Sequence, residues 1–153
     1  MRRLTTVLLT LVICSACGGD RAGSGEAGRD GAVSTGTLAL LLDVPGTVRA
    51  GEEVPIAITL VNRGASPTDV GAVSPDVVVT REDGTEVWRR SRHEPSLPGG
   101  ATTLRPNEMR GSGSSWNQRD DAGRPVGPGT YRIRAEAPTL ELASDAREVT
   151  ISP

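Results

Sequence analysis

The chain has 153 residues, of which 36% are hydrophobic, 19 are glycine and 11 are proline. This length suits one domain of ordinary size, and so much glycine and proline is typical of a turn-rich protein rather than a helical bundle. The formal net charge is −2, whereas nucleic-acid-binding domains carry a basic excess, so nucleic acid is not an expected partner.

The N-terminus has the pattern of a bacterial export signal. Two arginines precede an apolar run, Leu4–Ile13, which is too short to span a bilayer as a helix. Ser15, Ala16 and Cys17 resemble the lipobox of bacterial lipoproteins, although Cys14 stands where leucine is commonest. The resemblance implies that residues 1–16 are a lipoprotein signal peptide and that Cys17 carries a diacylglycerol thioether. The alternative is ordinary secretory cleavage without a lipid.

Cleavage before Cys17 would also exclude the other roles of a C-x-x-C pair. A redox couple needs both Cys14 and Cys17, and Cys14 would leave with the signal peptide. A zinc site needs four ligands, and the chain adds only His93 to the two cysteines. We therefore predict no metal, no cofactor and an extracytoplasmic location on a bacterial membrane. Where there are two membranes the outer one is favoured, because Gly18 rather than an aspartate follows the cysteine.

Residues 17–36 are rich in glycine, serine and charged residues. They contain almost no large apolar side chain, so they cannot bury enough surface to fold. We predict a flexible tether that connects the lipid anchor to one domain over residues 37–153.

From Thr37 onward the apolar residues alternate with a period of two, which is typical of half-buried strands. Turn signals such as Asp83-Gly84 and Pro128-Gly129 separate these segments. The pattern predicts a single all-β domain, an immunoglobulin-like antiparallel β-sandwich with Greek-key connections. The alternating positions are Leu38, Leu40 and Leu42; Val54, Ile56, Ile58 and Leu60; Tyr131, Ile133 and Ala135; and Val149 and Ile151.

Two local motifs refine this prediction. In "DVVVTREDGTEVW", two β-prone arms flank Asp83-Gly84, which predicts a hairpin with a type I′ turn. Tyr131 follows a Pro-Gly turn at the start of a strand, as in the tyrosine corner, where the hydroxyl bonds back to nearby backbone; the alternative is a plain core aromatic. Trp88, Trp116 and Tyr131 are the only aromatic residues, and we expect all three to be structural core anchors.

The densest basic cluster lies beside a predicted loop that runs from Ser91 to Gly100 and contains Pro95 and Pro98. We consider this loop a candidate contact site for a protein partner. The alternative is a solvated strand face whose charges are balanced by Glu82, Glu86 and Glu94. The candidate contact residues are Arg89, Arg90, Arg92, His93, Glu94 and Pro95.

The segments "DGTEVWRRS", "TTLRPNE" and "SSWNQRDDAGRPVGPGTYRIRA" together resemble the bacterial intracellular proteinase inhibitor (BsuPI) domain family. The resemblance covers about residues 38–137, and Asn107 stands in the usual glycine place. The stretch "VGAVSPDVVV" lacks the aromatic-Ser-Gly-Gln sequence usual before the hairpin. The matching positions are Asp83, Gly84, Val87 and Trp88; Leu104, Pro106 and Glu108; and Trp116, Asn117, Gln118, Gly123, Pro125, Val126, Pro128, Gly129 and Tyr131.

The resemblance implies an immunoglobulin-like sandwich and a protein-binding function, namely inhibition of a serine protease of the subtilisin type. A non-inhibitory adhesion or assembly domain of the cell envelope is the alternative.

Enzyme activity is not expected. His93, the single candidate base, sits in a predicted solvated loop without a G-x-S-x-G nucleophile motif, and Asp120-Asp121 lacks the ligand spacing of a calcium loop.

Overall fold

A computed structural model of the protein describes residues 34–35, 37–94 and 100–153. The predicted signal peptide at 1–16, Cys17, most of the tether and Pro95 lie outside the described residues. No helix within the described part is long and apolar enough to cross a membrane.

The described chain consists of twelve strands and two short 3₁₀ turns, at Arg90–Arg92 and Pro138–Leu140. The strands are β1 (Ser34–Thr35), β2 (Leu38–Asp43), β3 (Thr47–Arg49), β4 (Val54–Asn62), β5 (Thr68–Gly71), β6 (Asp76–Arg81), β7 (Glu86–Arg89), β8 (Thr102–Leu104), β9 (Met109–Trp116), β10 (Gly129–Ala137), β11 (Leu142–Ala143) and β12 (Arg147–Ser152).

The strands form two main sheets with their apolar faces in one core. One sheet has the order β1-β2-β4-β9 and the other the order β3-β12-β10-β6-β7, while β5 and β8 form a separate pair. All neighbouring strands are antiparallel except β3 and β12. The predicted all-β antiparallel sandwich is therefore confirmed, and its immunoglobulin-like character stays a prediction.

The predicted alternation matches the burial of the main strands. Along β4, Val54, Ile56, Ile58 and Leu60 are buried and point into the core. In β10 the same holds for its apolar residues, while the intervening arginines are exposed. One continuous cluster of buried side chains from both sheets results, so burial of apolar surface is the main force that holds the sheets together.

The first strand corrects the predicted end of the tether. Ser34 and Thr35, which the composition assigned to the tether, pair with Ala39 and Leu38 of β2. Backbone pairing needs no large side chain, so composition alone could not locate this boundary.

The hairpin between β6 and β7 is confirmed, but its predicted type I′ turn is wrong. Of the central pair, only Gly84 has a positive φ, at 83°, whereas a type I′ turn needs positive φ at both residues. The amide of Gly84 donates to the carbonyl of Arg81 at 3.0 Å, and the carboxylate of Asp83 accepts from the amide of Thr85 at 2.8 Å. The loop is long enough for an ordinary turn followed by a left-handed glycine.

The tyrosine corner is present. Tyr131 is buried, and its hydroxyl donates to the carbonyl oxygen of Gly127 at 2.8 Å. Its ring meets that of Trp116 edge to face, with 5.3 Å between centroids. Trp88, Trp116 and Tyr131 all belong to the core cluster, as the sequence predicts.

Candidate functional site

A polar cleft of about 230 Å³ opens where β7 and the first 3₁₀ turn face the end of β9 and the loop that follows it. One wall consists of Trp88, His93 and Glu94, and the other includes Ser115, Asn117 and Arg119. Glu94 is the last described residue before 95–99, so the cleft adjoins the predicted contact loop.

His93 is exposed to solvent, as expected, but it is held in place rather than free in its loop. Its imidazole stacks on the indole of Trp88 with 6.0 Å between ring centroids and 7° between planes. Its Nε2 lies 3.0 Å from Oδ1 of Asp121. The side chain still keeps 37% of its surface exposed, so a partner can reach one edge of the ring.

Asp121 connects the two walls of the cleft. Its carboxylate accepts hydrogen bonds from the amide of Arg89 at 3.1 Å and from the guanidinium of Arg92. Its own amide donates to the carbonyl of Val87 at 2.8 Å. Burial raises the pKa of Asp121, but the bonds from His93, Arg92 and Arg89 outweigh this effect and hold the pKa below its usual value. The carboxylate is therefore charged at neutral pH and fixes the chain from Trp88 to His93.

Arg89 is the centre of an ion-pair cluster on the second sheet. Its guanidinium pairs with Glu86 at 2.8 Å, with Glu136 at 2.9 Å and with Asp76 at 3.1 Å. Hydrogen bonds to Glu86 and then Glu136 raise the pKa of Arg89 above its ordinary value, against the opposing effect of burial. Each of the three guanidinium nitrogens of Arg89 donates to a carboxylate of the same domain.

Arg90 corrects the candidate contact site further. Its side chain is buried, and its guanidinium donates to the carbonyl of Pro75 and to Oγ of Ser74 at 3.2 Å. A guanidinium that is enclosed by these acceptors cannot contact a partner without unfolding the turn.

The alternative of internally balanced charges is thus right for Arg89, but two of its partners are different. The acids that face Arg89 are Asp76, Glu86 and Glu136 rather than Glu82 and Glu94, because β6 and β10 lie beside β7 in the sheet. Arg92 pairs with Glu86 at 2.8 Å and with Asp121, but half of its side chain remains exposed. Among the predicted contact residues that the structure describes, Arg92, His93 and Glu94 are therefore the most accessible.

The opposite wall is built by the Trp-Asn-Gln segment. Nε1 of Trp116 donates to the carbonyl of Arg119 at 2.8 Å. Gln118 is buried with φ at 57°; its amide nitrogen donates to the carbonyl of Arg49 at 2.7 Å, and its amide oxygen accepts from Gly51 at 2.8 Å. Sequence motifs singled out Gln118, but they gave no sign that it clamps the turn before β4.

Asp120 closes its own loop. Its carboxylate accepts from the amides of Ala122 at 3.0 Å and Arg124 at 2.9 Å and pairs with the Arg124 guanidinium at 2.8 Å. These bonds, the amide of Arg124 first, hold its pKa below the usual value. Across the described ranges, no three His, Cys, Asp or Glu side chains are placed to hold a metal ion.

Comparison with known proteins finds similar folds but no shared family. No family model and no curated protein matches the chain. The C-terminal domain of wzt matches with a TM-score of 0.51 at 11% identity, over 80% of this chain and 77% of that one. The Pseudomonas fluorescens alkylpurine DNA glycosylase AlkC, bound to DNA containing an abasic site analog, matches with a TM-score of 0.50 at 14% identity.

The glycosylase match covers 80% of this chain but only 32% of the glycosylase. A CARDB domain of the Pyrococcus furiosus protein PF1109 has a TM-score of 0.43 at 16% identity, over 78% and 93% of the two chains. At such low identities the first two matches show the fold alone.

Proposed function

We propose that the chain is a non-catalytic protein-binding module, anchored outside the cytoplasm by a lipid on Cys17, that inhibits a serine protease of the subtilisin type. The resemblance of its motifs to the BsuPI family supports this function. The observation that carries the proposal is the fixed stem of the predicted contact loop, where His93 stacks on Trp88 and bonds to Asp121.

A fixed stem is what an inhibitory loop needs. Binding a mobile loop costs about 0.5–1.5 kcal/mol for each side chain that becomes ordered, whereas a pre-organised loop avoids much of this penalty. Here Asp121 binds Arg92 and His93 from a separate loop, and Arg90 is buried beneath them. The accessible Arg92, His93 and Glu94 would thus meet a protease in one conformation.

The proposal is tested by titrating subtilisin and trypsin with the full-length chain. We expect stoichiometric inhibition without cleavage of the chain. Asp121→Ala releases the stem and should weaken inhibition about tenfold, which corresponds to 1.4 kcal/mol. Asp83→Ala, which removes an exposed turn aspartate of the β6–β7 hairpin, is the matched control and should leave inhibition unchanged. Digestion of the chain, or no effect on either protease, contradicts the proposal.

A non-inhibitory adhesion or assembly domain of the envelope is the second candidate. One observation favours it: Arg89 and Arg90, two of the three arginines expected to contact a protease, are used inside the domain. Under this alternative the chain binds an envelope protein and has no effect in the titration.

The proposed anchor has its own test. Cys17→Ala should abolish labelling by radioactive palmitate and release the protein from membranes. Cys14→Ala is the control and should leave the labelling intact, since Cys14 would be removed with the signal peptide. Equal labelling of both variants would place the lipid elsewhere.

A further inference from the structure

The strand β9 lies at the open edge of the first sheet. It is 8 residues long and pairs with β4, which is its one neighbour among the strands described. The register with β4 is continuous from Val54 opposite Trp116 to Val61 opposite Met109, without a bulge. A straight edge of this length presents a row of backbone donors and acceptors to solvent.

The hydrogen-bond pattern shows which residues of β9 have free backbone groups. The amide of Asn62 donates to Glu108, and bonded pairs alternate along an antiparallel ladder. The bonds to β4 therefore fall at Arg110, Ser112 and Ser114. The amides and carbonyls of Gly111, Gly113 and Ser115 point away from the sheet.

Two independent features agree with this assignment. Arg63, the residue after Asn62, donates instead to Thr37 on the β2 side, so successive residues of β4 bond to opposite neighbours. Ser115 lies opposite Pro55, which has no amide to donate.

Among the residues that the structure describes, the other edge strands of the two sheets are short or irregular, and β9 is neither. β1 has 2 residues and β3 has 3 residues. β7 has 4 residues, two of them charged, and a register irregularity. Charges, shortness and bulges are the usual means of blocking unwanted strand addition. β9 contains no proline, and Arg110 is its single charged residue.

A groove runs beside this edge on the inner side of β9. It has a volume of about 220 Å³, and its apolar lining comes from Leu60, Val70, Val73 and Pro75. Leu60 and Val70, which are almost fully buried, form the floor of the groove, and Arg110 and Ser112 form its rim. A strand added to β9 would direct every second side chain towards this groove.

We propose that the β9 edge and its groove form a binding site for an extended segment of a partner protein, added to the sheet as a further antiparallel or parallel strand. Backbone bonds to Gly111, Gly113 and Ser115 supply affinity, and an apolar side chain in the groove supplies selectivity. This surface shares Ser115 with one wall of the cleft but includes none of the stem residues Arg92, His93 and Asp121. The inference therefore does not depend on protease inhibition.

The charge of the rim determines a second feature of the segment. The guanidinium of Arg110 donates to Oγ1 of Thr102, and no carboxylate among the residues described pairs with it. An acidic side chain of the partner would form an ion pair with the guanidinium of Arg110. Because Arg110 and Ser112 are two positions apart on one face, the acidic and apolar residues of the segment are also two positions apart.

A second copy of the chain fits this site poorly. Pairing β9 with another β9 brings small serine side chains or bare glycine backbone to the groove and leaves it unfilled. Stable interfaces bury about 1,200 Å² or more, and two strands of small residues alone provide too little apolar contact. The groove therefore favours a different sequence as its occupant.

Amide hydrogen exchange of the free protein tests the backbone assignment. Gly111, Gly113 and Ser115 should exchange rapidly, whereas Ser112 and Ser114 should be protected by their bonds to β4. Protection of all five amides in the free protein would mean that the edge is already covered and would overturn the proposal.

An array of immobilised peptides of about eight residues tests the occupant. Each peptide contains threonine throughout except for one leucine and one glutamate. The full-length chain should bind peptides in which these two residues are two positions apart more tightly than peptides in which they are adjacent, and binding should weaken with salt. Binding that ignores the spacing, or no binding to any peptide, overturns the proposal.

Variants at Gly113 connect the binding to the strand edge. An added Cβ at this position meets nothing within 4 Å, and the lost amide of Gly113→Pro does not bond to β4. This variant should reduce peptide binding at least about tenfold, while Gly113→Ala, which keeps the amide, changes it less than about twofold. Equal binding by both variants, or a wild-type dimer that Gly113→Pro dissociates, overturns the proposal in favour of another surface or a second copy.

Discussion

Replacing Trp116 with alanine tests whether the two sheets depend on one aromatic anchor. The indole is fully buried at the end of β9, where it meets Tyr131 edge to face. Its ring nitrogen donates to the carbonyl of Arg119, so the same side chain also fixes the loop that forms one wall of the cleft.

The expected loss follows from these contacts. A buried aromatic side chain removes about 150–250 Å² from water, which is worth about 4–6 kcal/mol at 25 cal/mol per Å². Alanine retains a small part of this, so Trp116→Ala should lower the free energy of unfolding by about 3–5 kcal/mol. Trp116→Phe keeps most of the ring but loses the hydrogen bond, and should lower it by about 1–2 kcal/mol.

Urea unfolding followed by far-ultraviolet circular dichroism measures these differences, and the fluorescence of Trp88 provides a second probe. The order of stability should be wild type, then Trp116→Phe, then Trp116→Ala. A loss below about 1 kcal/mol for Trp116→Ala would refute the assignment of this ring as a core anchor.

Three further predictions concern the corner, the acid stability and a turn. Tyr131→Phe deletes the hydroxyl that donates to Gly127 and should lower the free energy of unfolding by about 1 kcal/mol in the same urea assay. Burial raises the pKa of Asp76, but hydrogen bonds from Ser91, Val77 and Arg89 lower it more, so the pKa lies below its ordinary value. In acid the unfolded chain therefore binds more protons than the folded one. The stability that Asp76 contributes is present above about pH 4 and is lost as the pH falls through the folded pKa. Unfolding measured across this range should show a shallower pH dependence for Asp76→Asn, and an unchanged dependence would contradict this. Asn107 has a left-handed backbone with φ at 62°. Asn107→Ala should therefore lower the free energy of unfolding by about 1 kcal/mol, and with it the melting temperature, whereas Asn107→Gly should lower neither.

The strands that could be predicted from sequence are those that alternate apolar and polar residues. In β10, Tyr131, Ile133 and Ala135 are buried between exposed arginines, because a strand turns successive side chains to opposite faces. The periodicity thus defines which residues enter the core, and it is a local property of the chain.

What could not be predicted depends on partners that are distant in sequence. Asn62 is a polar residue at the end of β4, yet it is buried and its side chain donates to the carbonyls of Ser66 and Leu104, both at 2.9 Å. Arg89 of β7 pairs with Glu136 of β10, which is far along the chain, because both strands lie beside β6 in the sheet. Such contacts follow from the order of strands in the sheet, which the alternation does not specify.

The β9 strand failed to give a sequence signal for a physical reason that also bears on its use. Glycine and serine have low strand propensity, so "RGSGSS" has the composition of a loop. It is a strand because it pairs with β4, whose alternating apolar side chains are buried in the core and hold β4 in place. An edge of apolar residues in this position would promote aggregation. Small residues avoid that risk while leaving the backbone of Gly111, Gly113 and Ser115 accessible, so selection among partners must come from the groove and Arg110 rather than from the side chains of the strand edge.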